Sequence, residues 1–435
     1  MFRKVFRNLF NRDNLFIMIF VLILGAVIAN IPINLEILNP VEETFSDFDI
    51  TDIYFSRIRA DNIEADERIV LINIGNLPRE GIAEELRIIN KYQPKVIGLD
   101  SFFRKLKKDN PAGDSLFLET LKEVDNLVMV TQVSYKEGSL EPDKETPTFD
   151  TLETSYKGFM QHAEGGFANL ITASTRKHVL TSDLAGGLAT CRTFSPQETL
   201  KDGTKELAFG VKLTELYDST KARKFLNRKK DVEYINFRGN HEKFAMLDFM
   251  QLFEMEAAGA EEELTRVLKD NIVLLGFMGA TIDSHSVIDK FYTPLNPKYI
   301  GKSEYDMYGV VVHANIISMI LNEDYIDETP FWLDLSASFL IAYLSVALFS
   351  LLYRRMGFWF DGLSILAQLL ITILILYLII MVFDRYETRV DWGLGILALI
   401  LSPNLLEIYF GLVKRLYLRT QRRLIKKEKK VIAQE

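Results

Sequence analysis

Apolar residues gather at the two ends of this sequence, with shorter runs between them. Leu15 to Ile31 is 17 residues without a charge, near the lower limit for a helix crossing about 30 Å of hydrocarbon at about 1.5 Å per residue. Three more runs close the sequence: Leu335 to Tyr353, Phe358 to Phe383 (interrupted near its start by Asp361) and Trp392 to Val413. Each has spanning length, and Trp332, Trp359 and Trp392 stand where interfacial aromatic residues belong. The pattern predicts four transmembrane helices, over 15–31, 331–353, 358–383 and 392–413.

Between the ends the periods are those of an α/β fold. ERIVLINIG, KYQPKVIGLD and NLVMVTQVSY read as buried strands. Between them, Ile82, Leu86 and Ile89, then Phe117, Leu121 and Val124, fall on single helix faces. Strand, helix, strand, helix, strand predicts parallel pairing through crossovers. Upstream, Val41, Phe45, Phe48 and Phe55 give a juxtamembrane helix one apolar face. Lys136 to Thr151 reads as an exposed insertion rich in Glu, Pro, Asp and Thr. Short strands are expected at LATCRTF, DVEYINFRG and DNIVLLGFMG, and helices at 204–218, 245–258 and along YGVVVHANIISMILNEDY. Without an internal repeat or flexible linker, residues 32–330 read as one α/β domain, a mixed and partly parallel sheet with flanking helices.

Charge orients the spans. Arg3, Lys4, Arg7 and Arg12 precede the first, Arg354 and Arg355 fill the turn between the second and third, and nine basic residues from Lys414 to Lys430 follow the fourth. Basic residues are retained on the cytoplasmic side, so the N-terminus (1–14), the 354–357 turn and the basic tail (414–435) are expected inside. Residues 32–330 then lie in the periplasm of a bacterial inner-membrane protein. A cleaved signal peptide is the alternative reading of the first run, but no small-x-small site follows Ile31. Residues 1–31 carry +3 and 331–435 carry +5, so the total of −8 leaves −16 for 32–330. Such a surface repels nucleic acid. The one cysteine, Cys191, excludes an intramolecular disulfide.

This order of segments resembles the second type of the sensory extracellular domain associated with cyclases and histidine kinases, the CHASE family. The resemblance rests on ERIVLINIG, on Pro78 and Arg79 opening a helix, on PKVIGLDSFF with Asp100, and on GFANL. YINFRG, NIVLLG with Gly276, Asp283, the Thr293 and Pro294 pair, and GVVVHAN from Gly309 to Asn315 complete it. It implies one N-terminal span, a large outer α/β domain and three closing spans. It also implies a kinase, cyclase or phosphatase-like output beyond the last span. Here the sequence runs 22 residues past Val413, so a separate protein is expected to report the signal. A homodimer is a further expectation of the resemblance. After the first strand the sequence has Gly75 and Asn76 where the family tends to place acidic residues.

Ligands of doubly wound sheets bind beyond the carboxyl ends of the strands. This points to Asn76, Asp100 and Ser101, and to Asp283 and His285 after the NIVLLG strand. Arg79, opening the next helix, joins the ligand-binding set. A small cationic or hydroxylated ligand, or a hard metal held through oxygen, would suit these groups, although a strand-end Asp also serves simply to cap backbone amides. The histidines at 162, 178, 241, 285 and 313 show no zinc-type spacing. No GxSxG, SxxK, GxGxxG or P-loop occurs, so neither an enzyme, a metal nor a cofactor is expected. In the spans, Glu407 lies about 10 Å inside Lys414. Gln368 and one of Ser345 and Ser350 reach comparable depth and would join it in a polar cluster. Snorkelling of Glu407 to the headgroups is the alternative.

Together these readings predict a membrane-bound sensory or regulatory subunit whose outer domain binds a ligand or envelope partner and signals through the 308–330 helix. A non-catalytic scaffold of a larger envelope complex is the competing prediction. Membrane lipids and an unidentified envelope or signalling protein are the expected partners. Four spans without inverted repeats disfavour a transporter.

Overall fold

The computed structural model describes residues 12–29, 49–59, 63–135, 149–170, 190–281, 286–297 and 304–415. The chain forms two compact units, Met1–Asn39 with Asp327–Glu435, and Pro40–Ile326.

After the first helix, Arg12–Ala29 (α1), which belongs to the helical unit, the chain builds a seven-stranded sheet. Its strands are Asp66–Asn73 (β1), Val96–Asp100 (β2), Leu127–Ser134 (β3), Thr151–Glu153 (β4), Glu164–Phe167 (β5), Phe244–Asp248 (β6) and Ile272–Gly276 (β7). The parallel strands lie in the order β6, β1, β7, β2, β3, β5, and β4 pairs antiparallel with the end of β3. The central strands are apolar on both faces because helices cover both. On one side Arg79–Lys91 (α2) and Pro111–Glu123 (α3) bring Ile82, Leu86, Ile89, Phe117 and Leu121 against Val70, Ile72, Ile97, Leu99, Val273 and Leu275.

The other face carries Phe209–Tyr217 (α4) and, beyond Ser219–Leu226 (α5), Phe249–Ala257 (α6) and Glu261–Leu268 (α7), the helix Gly309–Asn322 (α8). Leu252, Leu264 and Leu268 from α6 and α7 join the core of the first face. From Gly309 to Leu321 every residue of α8 is buried. Gly276 permits its approach, since a Cβ there would stand 2.7 Å from Val310 Cβ.

The helix expected over 245–258 begins instead at Phe249, and the residues before it form β6. Asp248 sets the boundary. Its side chain accepts from the Met250 amide at 3.3 Å, and Gln251 Oε1 accepts from the Asp248 amide at 2.9 Å, closing a capping box. The preceding segment runs parallel to β1, a long-range pairing that local periodicity does not carry.

In the other unit, Phe331–Met356 (α9), Phe360–Tyr386 (α10) and Gly393–Ile408 (α11) accompany α1. Two stretches of the described residues are long and apolar enough to cross a membrane, Phe331–Tyr386 and Gly393–Val413. Four spans were expected. The count differs because α9 and α10 form one 56-residue apolar stretch and the apolar part of α1, Asp13–Gly25, is shorter. A 3-10 turn at Gly357–Trp359 separates α9 from α10, with Gly357 at φ +48°. Asp327–Glu328 pairs parallel with Thr388–Arg389, so the two outer ends of this helix pair lie side by side. Ile17, Met18 and Val21 of α1 pack with Ala342 and Val346 of α9 and with Ala398 and Leu405 of α11. Gly395 lets α11 approach α9, its Cβ position lying 3.0 Å from Ser338 Cα.

Candidate functional site

The carboxyl end of the sheet is tied together by Asn73, a fully buried residue that closes β1. Its Nδ2 donates to Asp248 Oδ2 at 3.3 Å and to the Gly279 carbonyl at 3.1 Å. Its Oδ1 accepts from the amides of Gly75 at 3.0 Å and Met278 at 2.7 Å. One carboxamide thus joins the loops after β1, β6 and β7. Asn76 lies exposed in the first of them.

Arg79 turns inward. It is buried, pairs with Asp114 on α3, donates to the Lys105 carbonyl at 2.6 Å and lies 5.6 Å from the ring centroids of Phe103 and Phe159. Asp114 in turn accepts the Lys107 amide at 2.5 Å. The pair therefore pins the loop after β2. Asp100 and Ser101 at the start of that loop are half-buried. Burial, and then the charge of Asp289, hold the Asp100 carboxyl above the usual carboxylate range, and burial raises Asp289 as well. Asp289 stands at the start of α8, where its carbonyl accepts the Gly309 amide at 2.9 Å. Asp283 and His285 lie outside the described residues. Among the described residues no group of three or more His, Cys, Asp or Glu is placed to hold a metal.

At the opposite, amino end of the sheet is an open cavity of about 610 Å³, lined by Glu64, Asp66, Glu67, Arg68, Arg238 and Asn322. Asp66 is its buried anchor. Both its oxygens accept from Arg68 at 2.8 Å, and Oδ2 also accepts from Ser318 Oγ at 2.7 Å and from Asn322 Nδ2 at 3.2 Å. Burial alone would raise the Asp66 carboxyl. The bonds from Arg68 and Ser318, with the charges of Arg68 and Arg238, outweigh it and hold the group below its usual range. Arg68 Nη2 also reaches Asn322 Oδ1 at 2.8 Å, while Arg238 donates to Ser318 Oγ at 2.8 Å and to the Glu64 carbonyl at 2.7 Å. Asn315 fixes this second arginine. Its Oδ1 accepts the Arg238 amide at 2.7 Å and its Nδ2 donates to the Gly239 carbonyl at 3.0 Å. Ser318 and Asn322 sit on the last turns of α8, so the cavity wall and that helix share their hydrogen bonds.

Sequence reasoning looked for ligands at the carboxyl end and passed over this cavity. The signal was present in part, since Arg238 lies in YINFRG and Asn315 in GVVVHAN, two segments of the family resemblance that prove to be bonded to each other.

Among the described residues no hydrogen bond joins Glu407, Gln368 and either Ser345 or Ser350, the set expected to cluster. Gln368 Nε2 reaches α11 and donates to the Ile400 carbonyl at 2.6 Å. Ser345 bonds back to the Ile341 carbonyl of its own helix at 2.7 Å, and Ser350 is buried. Glu407 faces outward from the unit. Elsewhere, Asp13 pairs with Lys414 at 2.6 Å and with Arg354 at 3.8 Å, which brings one end of each of α1, α9 and the α11 segment together.

A family model, the CHASE2 domain, matches residues 18–352. No curated protein and no solved structure matches the chain.

Proposed function

Because the chain belongs to the CHASE2 domain family, a family of sensory extracellular domains, we propose that it is a non-catalytic membrane sensor. Residues 32–330 form its outer domain, the amino-end cavity receives a small polar ligand, and α8 carries the response. The observation behind this reading is that Ser318 and Asn322, on the final turns of α8, bond directly to Asp66 in the cavity wall. A ligand competing for Arg68 or Arg238 would loosen Asp66 and with it the end of α8. Only eight residues separate Asn322 from Phe331 at the start of α9. Signalling then requires that the ligand bind the two arrangements unequally.

The membrane arrangement proposed is four spans with both termini cytoplasmic. A 56-residue helical stretch would measure about 84 Å if straight, nearly three times a hydrocarbon core of about 30 Å. The turn at Gly357 and the side-by-side ends of α9 and α10 support two spans there. The junction of Asp13 with Arg354 and Lys414 supports a common side for the N-terminus, the 354–357 turn and the basic tail, as charge retention requires.

The test is hydrogen exchange on the full-length chain in nanodiscs against a panel of small carboxylic and amino acids. A binder is expected to change protection at 64–68, 236–240 and 318–322, and Asn322→Ala is expected to weaken it. If no compound alters these segments while an envelope protein co-purified from the native membrane protects the outer domain, the docking-scaffold reading replaces this one.

A further inference from the structure

α11 has a second face whose side chains no described residue buries, although Gln368 of α10 reaches the Ile400 carbonyl beside it. Its inner face is buried through Ala398, Leu399, Ser402, Leu405 and Leu406, whereas Ile400, Asn404 and Glu407 are exposed. Their spacing of four and then three residues is that of a left-handed coiled-coil seam. Gly411 continues it into the π-helical turn Tyr409–Val413, and a Cβ there would meet no atom within 4 Å.

Two of these residues are polar, inside a 21-residue apolar stretch. Neither Asn404 nor Glu407 makes a hydrogen bond or ion pair with any described residue. Glu407 is about 10 Å along the helix from Lys414, so a long side chain reaches the headgroups. Asn404 is about 15 Å from Lys414 and near the middle of the span, where a short carboxamide reaches neither surface. In hydrocarbon it needs a polar partner from another helix.

We propose that this face is a self-association seam on which two copies of the chain pair in the membrane. The inference rests on the reading of α11 as a span. Copies inserted the same way are related by a two-fold axis along the membrane normal, which sets each residue opposite its own counterpart. A carboxamide is donor and acceptor at once and so satisfies its counterpart. The same amide lies about 4.5 Å along the axis from Glu407 of the second copy, within reach of a carboxyl that has no donor of its own. A lone polar residue at such a seam position fixes register, and Gly411 lets the backbones close in.

The test uses single cysteines at 400, 404, 407 and 411, with 402 and 406 as inward-facing controls, in the full-length chain in native membranes. Cys191 can remain, because burial, and then the charge of Asp306, push its thiol up to about 12 and keep it unreactive. Oxidation is expected to give disulfide dimers at the four seam positions and none at the controls. Adding Asn404→Leu and Glu407→Leu to the Gly411→Cys reporter should weaken pairing about tenfold, with the melting of the outer domain unchanged. Equal or absent cross-linking at all positions, cross-linking unchanged by the leucines, or an adduct with a different protein would each overturn the proposal. A water-soluble maleimide that labels Asn404→Cys in sealed vesicles would instead show that α11 is not in the bilayer, and the proposed membrane arrangement would fail with it.

Discussion

The side-chain amide of Gln368 on α10 donates to the carbonyl of Ile400 on α11 at 2.6 Å, and it also approaches the Leu399 carbonyl at 3.4 Å. The reason lies one turn further on. Pro403, inside the helix, has no N–H, so the Leu399 carbonyl loses its helical donor. Gln368 of the neighbouring helix brings a polar contact to that carbonyl.

Replacing Gln368 with Leu should therefore destabilise the helical unit by about 1 kcal/mol. The loss should shrink when Pro403→Ala restores the backbone donor, and a double-mutant cycle on unfolding in detergent reads the coupling. Equal losses in both backgrounds would mean that Gln368 acts elsewhere.

Asn315→Ala removes the carboxamide that holds the Arg238–Gly239 backbone against α8 and leaves buried amides without partners. Such orphaning costs roughly 2–4 kcal/mol. The melting temperature of the outer domain should fall, and Arg238 should lose its position at the cavity even where the protein stays folded.

Arg79 pairs with Asp114 away from solvent. Arg79→Met alone strands a buried carboxylate and should cost about 3–5 kcal/mol, whereas Arg79→Met with Asp114→Leu should recover most of it. Urea unfolding of the two variants distinguishes this structural pillar from a ligand contact, for which the single variant would lose no stability.

Glu85 on α2 is fully buried, and neither carboxyl oxygen has a hydrogen-bond partner. Burial, and then the charge of Asp248, push its carboxyl up to about 8. The folded state therefore holds a proton that the unfolded chain releases near 4.5. Stability should fall as pH rises from that value to about 8, by up to about 1.4 kcal/mol per pH unit. Glu85→Gln should flatten this slope in thermal melts taken across that range.

His313 behaves in the opposite sense. Buried within α8, edge-on to Phe209 at 5.2 Å between ring centroids, it is pushed down to about 4 by burial. Its contribution is complete above the ordinary histidine value of 6.5 and lost as pH falls toward 4. His313→Phe should remove that acid sensitivity, leaving melts taken between pH 4 and pH 8 with a flatter profile.

The central strands and the helices α2 and α3 were legible because each carries its own period, as with Ile82, Leu86 and Ile89 in α2. β6 was not legible, because five residues ahead of a helix become a strand only by pairing with β1, far away in sequence. Arg79 stood out as the residue opening a helix and was expected to meet a ligand, but its inward turn depends on Asp114, which no local pattern links to it. The amino-end cavity was invisible for the same reason. It is assembled from the start of β1, the YINFRG loop and the end of α8, and only folding brings Asp66, Arg238 and Ser318 together. Glu407 and Gln368 stood out as polar residues in apolar runs, but which neighbour each one faces is set by helix rotation, and Pro403 settled it for Gln368.

The short pairing of Asp327–Glu328 with Thr388–Arg389 bears on how force travels. The Asp327 amide donates to the Glu387 carbonyl at 2.9 Å and the Thr329 amide to the Arg389 carbonyl at 3.0 Å, so the chain entering α9 is stitched to the chain leaving α10. A slack tether would let the entry segment stretch or swivel without disturbing anything beyond it. This joint instead bonds the two segments to each other. Residue 327 is therefore tied through backbone hydrogen bonds to the end of α10 as well as, through the chain, to the start of α9.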